Sequence, residues 1–374
     1  MRKSSMIAID AMGGDHAPRT IVEGAVLAAR DFRIPVILVG DKGIVEEELA
    51  QHETADLPVH IQHASQVVGM DEAPSKALRR KKDSSIRVAM QMVKNGEADA
   101  VFTAGNTGAA LAAATLILRP LKGIFRPAIA AIFPSINGYS IVIDVGANVE
   151  CKAIQLFQFG IMGAVYAKYI QGNVKPKVGL LTIGEEEGKG NETLLEAYEM
   201  LKRSSLHFVG NVDGKGVFSG EADVIVCDGF AGNVGLKFSE GLADHYHSKL
   251  EKLFSSPIAG RFASALLKSD LELFRGTTDY ASLGGAPLLG TNGTCIIGHG
   301  ASSPRAVKNA IYLARQFVTH NISTHIQDDI ELNQDIQEGA QVKGRIWRSI
   351  RESFQRKGSP EDEPTGSGED EAKE

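Results

Sequence analysis

The feature that most limits what this chain can fold into is a local pattern that recurs six times. Short apolar runs each stop at a loop rich in Gly, Asn, Asp and Ser, and one of these loops carries a Lys. The loops are AMGGDHAP after Met6–Asp10, AGNTGA after Ala100–Thr103, DVGAN after Tyr139–Ile143, GEEEGKGN after Val178–Ile183, DGFAGN after Val224–Cys227 and GHGASS after Thr294–Ile297. A helical pattern follows each loop. Continuous apolar runs suit strands buried on both faces, and strand–helix alternation predicts an open, mostly parallel α/β sheet with helices on both faces. Such sheets bind ligands outside the carboxyl ends of their strands. Six polar, glycine-rich ends on one edge therefore predict a small-molecule crevice lined by backbone N–H groups.

The remaining segments fill out this frame. Val36–Val39 and Val59–Gln62 read as further strands, and Arg19–Asp31 and Ile44–Glu53 as helices. Another helix opens at Ser84 or Ser85 and stops at Asn95-Gly96. Val68–Ser75 reads as a loop, with the basic run Arg79-Arg80-Lys81-Lys82 behind it as a solvated face. Asn137-Gly138 between two apolar runs predicts one antiparallel hairpin. Asn191 is placed to cap a helix carrying Leu194, Leu195, Tyr198 and Leu201 on one side. Ser255–Gly276 and Lys343–Lys357 are cationic and amphipathic, suited to a membrane surface or to packing on the body. The expected organisation is an α/β domain over 1–340 with a protruding helical segment at 240–278, a basic helix at 341–357 and a disordered acidic tail at 358–374.

Composition narrows the function. Across 374 residues the formal charge is −6, which argues against a general nucleic-acid binder. Three widely spaced cysteines, Cys151, Cys227 and Cys295, suit a reducing compartment, and no apolar run is long enough to span a bilayer. The N-terminus has no room for a signal-peptide core, so a cytosolic protein is expected. The ten histidines show no metal-ligand spacing. No G-x-S-x-G elbow, dinucleotide fingerprint or Walker loop occurs. His299, between glycines at a strand end, is the histidine placed to touch substrate. What remains is an anion cradle: Lys189 flanked by Gly188 and Gly190, with Asn191 opening a helix. Glu185–Glu187 sit beside it, either tethering Lys189 or facing solvent. Such a site suits a nucleophile that is itself an anion, such as inorganic phosphate attacking an activated acyl carbonyl while a thiolate leaves.

Taken together, IAIDAMGGDHAP, TAGNTGA, DVGAN, LLTIGEEEGKGN, VCDGFAGNV and GGAPLLGTNG…HGASS resemble, in order and from about Met6 to Thr319, the motifs of bacterial phosphate acyltransferases. The resemblance implies transfer of a long-chain acyl group from acyl carrier protein to inorganic phosphate. The acyl phosphate would then serve glycerol 3-phosphate acylation by a membrane acyltransferase. It also implies a homodimer, no cofactor or metal, cytoplasmic location with peripheral membrane contact, and a fold similar to phosphate acetyltransferases and isopropylmalate-type dehydrogenases. Residue by residue, it gives Lys189, Asn191 and Asn233 catalytic roles in holding phosphate or the carbonyl. Asn106, Thr107 and Gly108 match a donor-rich strand end, and Asp10, Asp15, Asp144 and Asp228 match acidic motif positions. Gly13, Gly14, Asn148, Gly190, Gly229, Gly232 and His299 complete the expected substrate-binding set. The chain departs from the family pattern at Glu150, Leu283 and Gly298. An acidic carrier protein calls for a basic docking patch, for which Arg79–Lys82 and Lys343–Lys357 are candidates. Two other readings stand beside this one: a metal-dependent dehydrogenase using Asp144 and Asp228 as Mg²⁺ ligands, and a non-catalytic scaffold for carrier protein or membrane.

Overall fold

The alternation builds a single sheet in a computed structural model that describes residues 5–254 and 284–339. The readings made for 255–276, Leu283, 343–357 and 358–374 lie outside the described residues. By its contacts the chain separates into Met1–Leu332 and Asn333–Glu374, and the sheet belongs to the first unit. Among the described residues it has 11 strands. These are β1 (Ile7–Asp10), β2 (Val36–Gly40), β3 (Val59–His63), β4 (Ala100–Thr103), β5 (Ala128–Ser135), β6 (Gly138–Ile143), β7 (Lys177–Leu181), β8 (His207–Val212), β9 (Val224–Val226), β10 (Ala286–Leu289) and β11 (Thr294–Ile297). Their spatial order is β3-β2-β1-β4-β11-β10-β5-β6-β9-β7-β8.

The order contains a reversal that the sequence did not announce. β3-β2-β1-β4-β11 are mutually parallel, and so are β6-β9-β7-β8. Between these blocks the steps β11-β10, β10-β5 and β5-β6 are all antiparallel. Three successive reversals set the blocks in opposite senses, so the six polar ends do not share one edge as expected. The cause is β10, whose sequence APLL follows Gly284-Gly285 and pairs on both sides. Register nevertheless brings both sets of ends together. Leu288 pairs with both Cys295 and Ile129, and Ala130 pairs with Ile143, so β6 stops level with the middle of β11. The two blocks are displaced along the strand direction, and their carboxyl ends face one another across β5 and β10.

Helices cover the sheet. They are α1 (Arg19–Phe32), α2 (Lys42–Leu49), α3 (Pro74–Arg80), α4 (Ser85–Asn95), α5 (Thr107–Ala113, continued by a π turn to Leu118), α6 (Ala153–Tyr169), α7 (Glu192–Lys202), α8 (Gly229–Phe254), α9 (Pro304–Thr319) and α10 (Ile322–Leu332). All four residues of β1 are buried, as a strand covered on both faces requires. Ala8, Val39 and Val101 pack into a core with Ala89, Met90, Ala110 and Ala113 of α4 and α5. On the opposite side α1 packs along α9, which lies over β4 and β11. Several boundaries differ from expectation, among them the following. Pro74, well suited to a first helical position, starts α3 inside the expected loop. The run Val178–Ile183 leaves the sheet at Leu181, and Ile183 is 85% exposed. The hairpin turn is Ile136-Asn137, because Ser135 pairs with Gly138 and the glycine takes φ 122°.

Candidate active site

Where the two blocks meet there is a cleft of about 440 Å³, within the range of small-molecule sites. Its walls are Asp15, Gly105 and Thr107 from the β1 and β4 ends, Gly298, His299, Gly300 and Ser302 from the β11 end, and Val145 and Gly146 after β6. Ile129, Ala131, Ile132, Leu236, Ala286 and Ile297 give an apolar floor, and Met70 borders it. The first turns of α8 add Asn233, Lys237 and Glu240, with Lys237 Nζ 2.7 Å from Glu240 Oε2. The cleft thus joins an apolar trough to a polar rim that carries Asn233, His299, Thr107, Ser302, the carboxylates Asp15 and Glu240, and one lysine.

Around the β1 and β4 ends, hydrogen bonds fix the loops rather than meet a ligand. The Thr103 hydroxyl donates to Asp10 Oδ2 at 2.7 Å, and its oxygen accepts from Gly105 N–H at 3.1 Å. Asp10 is buried beneath the cleft, and burial pushes its carboxyl above the ordinary value. A Cβ on Gly13 would lie 2.5 Å from Asp10 Oδ2, and one on Gly14 3.3 Å from Gly300 O. Asp15 N–H donates to Gly300 O at 2.8 Å, tying the first loop to the last. Asn106 accepts from Ala109 N–H through Oδ1, capping α5, and donates through Nδ2 to Met70 O and Glu72 O. Its amide is spent on structure, leaving Thr107 and Gly105 to line the cleft. Gly108 packs on Pro74, where a Cβ would come within 2.7 Å of Cγ. His299 Nδ1 accepts from Ala301 N–H at 3.2 Å, so the neutral ring carries its proton on Nε2.

Across the cleft, Asp144 organises the loop after β6. Its Oδ1 accepts from the N–H groups of Ile129, Gly146 and Ala147, and its Oδ2 from the N–H and Nδ2 of Asn148. Burial pushes this carboxyl upward, while the hydrogen bonds from Ala147, Asn148 and Ile129 oppose it. With both oxygens occupied, neither is free to ligate a cation, so the Mg²⁺ pair of the dehydrogenase reading is not formed. Asp228 accepts from Ala231 N–H at 2.7 Å through Oδ1, as the cap of α8. That cap starts α8 at Gly229, five residues before the expected Val234. Gly229 and Gly232 let the helix sit on the Asp144 loop: a Cβ on Gly229 would be 2.6 Å from Asn148 O, and one on Gly232 1.9 Å from Asp144 O. Asn233 is thereby held over Gly146 at the rim.

Lys189, Gly190 and Asn191 occupy the β7 end, beside β9, and are not among the residues lining the cleft. Lys189 is exposed. Asn191 accepts from Leu194 N–H at 3.0 Å and caps α7 as expected. Glu187 neither tethers Lys189 nor stands alone. The Tyr198 hydroxyl and Lys202 bind it and hold its carboxyl below the usual range. The lysine that does line the cleft is Lys237, which lies within the helix expected from Val234 and has no flanking glycines or strand end to mark it as a ligand. Once α8 begins at Gly229, Asn233, Leu236, Lys237 and Glu240 fall at i, i+3, i+4 and i+7 on one face.

The thiols take no part in this arrangement. Burial first, then the charges of Asp144 and Asp228, push Cys151 up to about 12, and burial alone pushes Cys295 up to about 12. Cys227 is held well above its ordinary value, mainly by burial. Iodoacetamide at pH 8 is therefore expected to alkylate the native protein at least about a hundredfold more slowly than the unfolded chain. Rapid native labelling of Cys151, mapped by mass spectrometry, would overturn this assignment.

Comparison with known proteins agrees with the architecture. Phosphotransacetylases from Streptococcus pyogenes and Staphylococcus aureus superpose with TM-scores of 0.57 and 0.55 at 17% and 14% identity, covering 85% and 84% of this chain and 95% and 94% of theirs. At that identity they speak for the fold alone. The sequence is closer to phosphate acyltransferases. That of Geobacter sulfurreducens is 50% identical over 325 residues, 87% of this chain and 94% of the relative. That of Syntrophotalea carbinolica is 46% identical over 341 residues, 90% and 98% of the two chains. The family described as "Fatty acid synthesis protein" matches residues 5–325. A chain with this fold and these relatives belongs to the phosphate acyltransferase family of enzymes.

Proposed function

We propose that the enzyme moves a fatty acyl group from acyl carrier protein to inorganic phosphate. The observation that carries this reading is the cleft's division into an apolar trough and a polar rim. Ile129, Ala131, Ile132 and Leu236 suit an acyl chain, while the amides around Gly105 and Gly146, with Asn233, His299 Nε2 and Lys237, suit two oxyanions. Phosphate is already a nucleophile at neutral pH. Attack on the thioester carbonyl needs placement of the phosphate and stabilisation of one developing alkoxide, and the leaving thiolate needs no covalent enzyme intermediate. In this reading Lys237 holds phosphate and Asn233 and His299 donate to the carbonyl oxygen. Asp10, Asp144, Asn148 and Asp228 act through the loops they fix. Lys189 and Asn191, at the neighbouring strand end, are proposed as a second cationic element acting on the bound phosphate.

The product, an acyl phosphate, is suited to acylating glycerol 3-phosphate in a membrane acyltransferase, and peripheral membrane contact follows from that role. No helix among the described residues is long and apolar enough to cross a bilayer. A homodimer has support in α8, where Phe230, Val234, Phe238, Leu242 and Tyr246 recur every four residues and are exposed. The test of the reaction is incubation with palmitoyl–acyl carrier protein and phosphate, following free carrier thiol and acyl phosphate together. Both products should form only with phosphate. Lys237→Ala and Lys189→Ala should each lower turnover, by about a hundredfold where the lysine meets the reacting phosphate. Turnover surviving Lys189→Ala would make that residue a loop lysine, and no acyl phosphate at any phosphate concentration would overturn the proposal.

A further inference from the structure

We propose that the outer face of α3 and the turn after it, carrying Lys76, Arg79, Arg80 and Lys82, is where the acyl carrier protein docks, through acidic side chains of that partner. The inference rests on the acyl-transfer reading above and adds the surface that delivers the thioester. Four facts point to this face. The first is location. Asn106 Nδ2 binds Met70 O and Glu72 O, in the loop that leads into α3, and Gly108 packs on Pro74 at its start. Met70 and Thr107 line the cleft, so α3 stands at its border. A carrier that feeds the cleft must dock beside its mouth, because the thioester arm is of fixed length.

The second is unneutralised charge. Lys76, Arg79, Arg80 and Lys82 are all exposed, and none makes an ion pair among the described residues. This stands out in a chain of net charge −6. The nearby acids offer little compensation. Glu72 is taken by Lys81 and Gly69 N–H, and Asp83 by the N–H and hydroxyl of Ser65, which leaves Asp71 exposed beside the patch.

The third is the splitting of the basic run. Lys81 turns inward, donating to Val67 O and pairing with Glu72. It is a strut, and the cations on either side point outward. The fourth is rigidity. Ala77 and Leu78 are buried, Arg87 donates to Leu78 O at 3.0 Å, and the Ser84 hydroxyl donates to Lys81 O at 3.0 Å. A short helix pinned in this way presents its charges with little ordering cost, which favours both encounter rate and affinity for an acidic partner.

The experiment compares one acyl group on two thioesters, the carrier protein and free pantetheine, in the full-length enzyme. In Arg79→Glu/Arg80→Glu/Lys82→Glu the ratio of kcat/KM for carrier-borne over carrier-free substrate should fall about tenfold or more, chiefly through the KM for carrier. The salt dependence of that KM should flatten. Lys175→Glu, an equally exposed lysine before β7, should leave the ratio as it is. An unchanged ratio in the triple variant overturns the docking surface, while the acyl-transfer reading survives as long as either thioester still yields acyl phosphate. An unchanged ratio with lost binding to anionic phosphatidylglycerol vesicles also overturns it and assigns the patch to a membrane. No acyl phosphate from either thioester with the unmodified enzyme defeats the underlying reaction instead.

Discussion

Gly232→Ala is expected to be the most damaging single-methyl change in the described body. A Cβ at this position would stand 1.9 Å from Asp144 O and 2.9 Å from Cys227 Sγ. The first of these is backbone, and Asp144 is itself fixed by five N–H donors. The helix must therefore lift off the β6 loop, taking Asn233 and Lys237 away from the cleft. Overpacking of this kind costs about 3 kcal/mol or more, and the lost register should lower turnover at least as much as stability. Urea unfolding of the variant gives the first quantity and a thioester assay the second. Gly235→Ala is the internal control: it lies one turn further along α8 with nothing within 4 Å of its Cβ position. Replacing a helical glycine there should stabilise by about 0.5–1 kcal/mol. Equal behaviour of the two variants would show that α8 does not rest on the Asp144 loop.

The second large effect is at Asp144. Asp144→Ala removes the side-chain acceptor of four backbone N–H groups and leaves the Asn148 amide only Pro127 O, at a buried carboxylate beneath a half-buried loop. An unmet buried donor costs about 1–3 kcal/mol, and breaking a buried network about 3–5 kcal/mol. Asp144→Asn is the sharper test. It preserves shape but turns one oxygen into an NH₂ group, which must then face either Asn148, a double donor, or the N–H groups of Ile129, Gly146 and Ala147. Both variants should lose at least about 3 kcal/mol in urea unfolding, with Asn no better than Ala by more than about 1 kcal/mol. Full rescue by Asn would mean that the carboxylate's charge and acceptor count do not hold this loop.

Local grammar was legible in the sequence because it depends on local forces. Apolar runs marked the strands, Asn191 and Gly96 marked helix ends through cap chemistry, and Asn137-Gly138 marked the hairpin. The direction of half the sheet was not legible, since it turns on β10, a four-residue strand containing Pro287. A proline argues against a central strand. The protein accommodates it by starting the β10-β5 ladder at Leu288, just past the ring. The cleft was legible as a set of glycine-rich ends but not as a set of roles. Asn106, Asp144, Asn148 and Asp228 look like ligand groups in one dimension, and in the fold each also holds a loop or caps a helix through hydrogen bonds. Lys189 is marked in the sequence by its flanking glycines, whereas Lys237 lies mid-helix, where only the fold shows which face meets the cleft.

The placement of β11 between β4 and β10 governs how a growing chain can acquire this sheet. Residues 100–103 wait beside residues 294–297, and residues 128–129 beside 288–289. Until β10 and β11 have been synthesised, β4 and β5 each present an unpaired edge, and the two blocks have nothing to join them. Open edges of this kind recruit other strands, and pairings this distant in sequence form slowly. The assembly of the cleft is thus postponed until β10 and β11 have been made, and an intermediate with two exposed edges is the species on which a chaperone would act.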